Sequence, residues 1–184
     1  MDSLPLNELY EEYTEARKTG LKYEQFAAFV LYYPALLVAR TDGEIDEQEW
    51  LTLQGLANQL VRETLPQEAD ADEQEDYRRL FFEEFRYLTN EMDRWDRKFM
   101  KSLKYMLLQC PDAKQTVAAT IYSLADASKG ICEKESTMIE YLRGELGISE
   151  LGAGIRQDGI SLLPKARPPQ PKWQVFLMTF WLGF

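Results

Sequence analysis

The ten residues Thr41–Trp50, TDGEIDEQEW, hold five carboxylates: Asp42, Glu44, Asp46, Glu47 and Glu49. The apolar run Phe29–Ala39, FVLYYPALLVA, precedes them, and the periodic run Trp50–Leu60, WLTLQGLANQL, follows. Gly43 suits a tight turn. Asp46 with Glu49 three residues on is a capping pair, in which Asp46 accepts from first-turn N–H groups. Glu47 and Glu49 also sit well at the positive end of a helix dipole. The stretch therefore reads as a corner between two helices, and both flanks become helical.

Outward from that corner, apolar residues recur mostly at helical spacing, with no convincing alternating strand. Leu6, Leu9, Tyr10 and Tyr13 predict a short first helix ending near Gly20. A second helix spans about Tyr23 to Arg40, with a kink or break near Tyr33 because Pro34 lies inside it. The third starts after Asp46, continues through Leu53, Leu56, Leu60 and Val61 to about Glu63, and stops at Pro66. The acidic stretch Pro66–Asp76 reads as a solvated loop. Tyr77, Leu80, Phe81, Phe85 and Leu88 mark an amphipathic helix. Its aromatic stripe, Phe81, Phe82, Phe85 and Tyr87, reads as core rather than as a ligand pocket. Asn90 is read as the cap of the next helix, which carries Trp95, Phe99, Leu103, Met106 and Leu107 and ends before Pro111. Asp112 is read as the cap of a helix through Val117, Ile121 and Leu124. A last helix runs from about Glu133 to Leu146, with Gly147 as its stop.

Beyond it the texture changes. Leu151–Gly159 is glycine-rich, and Pro164–Pro171, PKARPPQP, is a polyproline-type spacer. The expected organisation is a helical domain over residues 1–163, a Pro-rich linker over 164–171 and an apolar aromatic tail helix over 172–184. The fold class expected is an all-α bundle of about seven to eight helices.

A chain of 184 residues suits one domain with a real core. With 21 Lys+Arg against 31 Asp+Glu, the net charge is −10, which disfavours nucleic acid and favours cations or basic protein faces. The absence of histidine removes Ser-His-Asp and Cys-His nucleophile systems and HExxH zinc sites. Cys110 and Cys132 form no CxxC and read as two buried, reduced thiols of a cytosolic protein. Any bound metal must then accept oxygen ligands: Ca2+, Mn2+ or Mg2+. The N-terminal residues lack the pattern of a signal peptide, and no apolar run is long enough to span a bilayer.

The corner has a fainter second copy. Aligning Ile45 with Ile131, an offset of 86, lays Ala39 on Ala125, Glu47 on Glu133, Glu49 on Glu135, Leu53 on Ile139, Leu56 on Leu142 and Leu60 on Leu146. Each copy reads as helix, tight turn, capped helix, so the bundle is expected to contain two pseudo-repeated helix-turn-helix halves with acidic corners facing each other. The match is asymmetric: Asp42, Gly43, Glu44 and Asp46 fall on Ser128, Lys129, Gly130 and Cys132.

Ala-x-x-Asp-Gly-Glu-Ile-x-x-x-Glu at Ala39–Glu49, its echo ending in Glu133 and Glu135, and ELGIS at Glu145–Ser149 together resemble the TerB-like tellurite-resistance family. The resemblance covers about Tyr23 to Ser149. It implies an all-α domain of two related halves and an acidic patch that binds divalent cations. It also implies a non-enzymatic, cytoplasmic role in stress response or phage defence, within membrane-associated complexes. Lys129 and Gly130 depart from the family's acidic character at the second corner.

The candidate metal ligands are Asp42, Glu44, Glu49, Glu133 and Glu135. An EF-hand is disfavoured, because Gly43 at loop position six puts Val38 and Arg40, which supply no carboxylate, at positions one and three. A looser oxygen site, a basic protein partner and a plain capped turn remain open; only Asp42 and Glu44 exceed what capping needs. Glu44 and Glu49 are a merely nominal acid–base pair, and nothing marks a nucleophile or a phosphate loop, so no enzyme is expected. Arg94, Arg97, Lys98, Lys101 and Lys104 form one basic face, read as offsetting the acidic surfaces. In the tail, Trp173, Phe176, Phe180 and Trp181 are candidate partner or membrane contacts. The tail has three open fates: folding back on its own domain, docking on a partner or a second copy as a homodimer, or lying peripherally in a membrane interface. A structural adaptor recruited by this tail, without metal, is the alternative function.

Overall fold

The computed structural model describes residues 5–125 and 132–148. Seven helices make up the described residues, with no strand: α1 Pro5–Arg17, α2 Tyr23–Ala39, α3 Glu47–Thr64, α4 Ala71–Asn90, α5 Met92–Gln109, α6 Ala113–Ala125 and α7 Glu133–Leu146. None of the helices searched is long and apolar enough to cross a membrane. The linker and aromatic tail lie outside the described residues.

The architecture is organised around α2, which touches all six other helices. Every residue from Gln25 to Ala39 is buried. A helix apolar on all sides cannot sit at a surface, so the others wrap it. Pro34 lies inside it without a break, against the expected interruption near Tyr33. The lost backbone hydrogen bond is outweighed by packing on every face. Its two adjacent tyrosines carry polar tips outward to partners. Tyr32 Oη donates to Glu63 Oε2 on α3 (2.9 Å), and Tyr33 Oη donates to Asp96 Oδ1 on α5 (3.0 Å). Gln59 Nε2 donates to the other oxygen of Glu63 at 2.8 Å.

Aromatic rings fill the space between α1, α2, α4 and α5. Phe99 meets Tyr13, Phe26, Phe29, Tyr33 and Trp95, with ring centroids 4.8 to 6.4 Å apart. Phe29 stacks on Phe85 at 5.2 Å. Phe81 and Phe85 are fully buried, and Phe82 and Tyr87 pack against the core, so the stripe on α4 is interior. α1 is tied to α4 through Glu84. Tyr13 Oη donates to Glu84 Oε2 at 2.6 Å, and Arg17 donates to both carboxylate oxygens at 3.0 and 3.2 Å. The Arg17 guanidinium also lies over the Tyr87 ring, 4.0 Å from its centroid.

Several boundaries differ from the sequence reading. Residues Ala71–Asp76 are the start of α4, because Asp70 caps it by accepting from the Glu73 N–H at 2.7 Å. Asn90 is the last residue of α4 and caps nothing; Glu91 alone joins α4 to α5. Cys110 and Cys132 are free thiols, but neither is fully buried: Cys110 is half-buried, and Cys132 is exposed at the entry to α7. The basic face of α5 is partly neutralised by Lys98 with Glu12 and by Lys104 with Glu145. α7 ends at Gly147, whose left-handed φ of 60° suits glycine, and Lys114 Nζ donates to its carbonyl at 2.9 Å.

Candidate functional site

The corner between α2 and α3 forms as its residues dictate. Thr41 Oγ1 donates back to the Leu37 carbonyl, closing α2 (2.9 Å). Gly43 takes φ 102°, a conformation that side chains with a Cβ rarely adopt. The Glu44 N–H points to Asp42 Oδ1 at 3.3 Å. The Asp42 carboxylate thus has a local turn-stabilising role, which leaves Glu44 as the carboxylate unexplained by local structure. Asp46 Oδ1 then accepts from the Glu49 N–H, and Glu49 Oε2 accepts from the Asp46 N–H, both at 2.8 Å. That is the full capping box.

α7 begins in the same way. Glu135 Oε2 accepts from the Cys132 N–H at 2.6 Å, and Cys132 Sγ accepts from the Glu135 N–H at 3.4 Å. Sulfur here occupies the position that the Asp46 carboxylate holds in α3. Residues 126–131, which include the counterpart of the Asp-Gly turn, lie outside the described residues.

The five candidate ligands divide into two groups. Glu49 and Glu135, the two box glutamates, are buried at 4% and 5% exposure. Asp42, Glu44 and Glu133 are exposed. The Glu49 carboxyl is pushed up to about 7 chiefly by burial, with Asp46, Asp42 and Glu135 adding repulsion. The Asp46 N–H works against that rise. Among the described residues no group of three or more His, Cys, Asp or Glu side chains is arranged to hold a metal ion.

The raised Glu49 acid has a thermodynamic consequence. Its ordinary value is 4.5, so between about pH 4.5 and 7 the folded state holds a proton that the unfolded state has lost. Stability from this group is complete below that window and falls as pH rises through it. Urea unfolding across pH 5 to 8 should show wild-type stability falling, and Glu49→Gln should flatten that fall. Gln suffices for the capping role, as Gln25 shows by accepting from the Lys22 N–H at 2.9 Å at the start of α2. An unchanged slope in Glu49→Gln would contradict this.

A groove of about 540 Å³ opens beside the corner, lined by Thr41, Glu133, Lys134, Thr137, Met138 and Tyr141. It joins the end of α2 to the first half of α7. Tyr141 is 54% exposed, and Met138 is only partly buried. The sequence reading missed this groove. Its signal was a second apolar pair on α7, Met138 and Tyr141, off the buried stripe of Glu135, Ile139, Leu142 and Leu146. Glu133 is the one candidate ligand that lines it.

Comparison of the chain with protein-family models, curated proteins and solved structures finds no match.

Proposed function

We propose that this chain is a non-enzymatic, TerB-like interaction module that presents its acidic corner to a basic segment of a protein partner. The observation that carries this reading is the groove between Thr41 and α7. Its floor offers apolar surface from Met138 and Tyr141, and exposed carboxylates stand at Glu133 and on the adjoining turn at Asp42 and Glu44. Among the described residues that line it, Lys134 is the one cation. Such a surface suits a peptide that combines Lys or Arg with large apolar side chains.

We further read α2–α3 and α6–α7 as two related helix-turn-helix halves. The matching capping boxes at Asp46–Glu49 and Cys132–Glu135 support that reading. A divalent cation, Ca2+, Mn2+ or Mg2+, is the rival occupant of the corner. Charge crowding around Glu49 favours it, since a cation would relieve the repulsion. Both box glutamates, however, already accept backbone hydrogen bonds, which favours the basic segment.

The test is an array of basic–aromatic peptides probed with wild type and with Asp42→Asn/Glu44→Gln/Glu133→Gln, alongside calorimetric titration with each cation. Peptides that bind wild type at least about tenfold more tightly, an advantage that shrinks with added salt, support the reading. Equal binding to both proteins overturns it. Cation heat that Asp42→Asn/Glu44→Gln lacks, without peptide preference, transfers the corner to the metal reading.

A further inference from the structure

We propose that the groove between the α2–α3 turn and α7 is the docking site of this chain's own C-terminal segment, Lys165–Phe184, bound in cis. The inference rests on the reading of the groove as a receptor for basic, apolar peptides, and it names the first such peptide.

Three observations carry it. The first is need. Trp173–Phe184, WQVFLMTFWLGF, contains no charged side chain and five aromatic rings, Trp173, Phe176, Phe180, Trp181 and Phe184, with Leu177 among them. Water does not tolerate so large an apolar surface uncovered. The second is charge. Residues 149–184 hold Arg156, Lys165, Arg167 and Lys172 against Glu150 and Asp158, so this segment is net positive in a chain of net charge −10. Lys165, Arg167 and Lys172 immediately precede the aromatic residues. The order of basic then apolar matches a groove with carboxylates at the corner and Met138 and Tyr141 on its floor.

The third is reach. The groove lies along the first half of α7, and the described chain ends at Ile148, just past the other end of that helix. A helix of 14 residues is about 21 Å long. Ser149–Pro164 supplies the return path, and a random-coil chain of that length has a root-mean-square span of roughly 20–24 Å. The span and the distance match, which is where tethering raises effective concentration most, to about the millimolar range. Docking in cis is therefore favoured over docking on a second copy, and a partner peptide must displace the tail to bind.

Hydrogen exchange on the full chain tests this directly. Trp173→Ser/Phe176→Ser/Phe180→Ser/Trp181→Ser should raise exchange at Thr41 and across Glu133–Tyr141 by about fivefold or more, while α4 and α5 stay as in wild type. From the groove side, Tyr141→Ser should speed tryptic cleavage after Lys172; Tyr141 is exposed enough for this variant to fold. Unchanged exchange together with unchanged cleavage overturns the proposal. Exchange changes confined to a concentration-dependent dimer overturn it in favour of a second copy. Altered flotation with phosphatidylserine vesicles, with unchanged exchange, overturns it in favour of a membrane surface. A synthetic Lys165–Phe184 peptide added to the four-serine variant separates the two readings. Peptide that protects Glu133–Tyr141 supports both the groove and its occupant. If array peptides bind there while the tail peptide does not, the groove reading stands and the cis occupant falls.

Discussion

Replacing Phe99 with alanine should lower the unfolding free energy by about 3–5 kcal/mol, the usual range for deleting a large buried ring. Phe99 is fully buried on α5 and meets rings from α1, α2 and its own helix, so no single neighbour can swing in to fill the space. The loss combines the transfer free energy of the ring with the cavity left among rigid aromatic partners. Urea denaturation of wild type and Phe99→Ala measures it. A loss below about 1 kcal/mol would mean that the α1–α2–α5 junction collapses freely, contrary to the interlocked arrangement described.

Glu84→Ala should cost about 3 kcal/mol, for a different reason. The Glu84 side chain is only 2% exposed and accepts from both Tyr13 and Arg17. Its removal strands a buried phenol and a guanidinium that is itself 28% exposed. Water can recover part of the Arg17 solvation, which keeps the expected loss at the low end for a broken buried ion pair. Tyr13→Phe preserves ring packing and removes only one hydrogen bond, so about 1 kcal/mol is expected there. Equal losses in the two variants would assign the effect to the Tyr13 bond alone and deny Arg17 any part.

Local chemistry was legible in the sequence where it is set by a few adjacent residues. Asp46 with Glu49, the turn at Gly43 and the stop at Gly147 form as their side chains and φ preferences require. The same logic was available at Asp70, yet the acidic composition of the following residues concealed a helix start, since an exposed first turn has no apolar stripe to reveal it. Asn90 misled because an amide between two apolar-periodic runs resembles a cap, whereas α4 and α5 adjoin across Glu91 alone. At the site, alignment of the two corners matched Glu49 with Glu135. It did not reveal that these two would be buried while Asp42, Glu44 and Glu133 stay in solvent. Burial of a box glutamate depends on what packs above the helix start, and that is decided by helices distant in sequence. The groove was hidden for the same reason, because its walls come from the end of α2 and the beginning of α7.

The central position of α2 also has a consequence for biosynthesis. Its residues leave the ribosome early, whereas α6 and α7, which cover part of it, follow only after α3, α4 and α5 have been made. At about 5–20 residues per second, the nascent chain carries this sticky rod without its full cover for on the order of ten seconds. During that interval Tyr23–Ala39 is the segment most in need of a chaperone, and translational pauses ahead of α6 would lengthen its exposure.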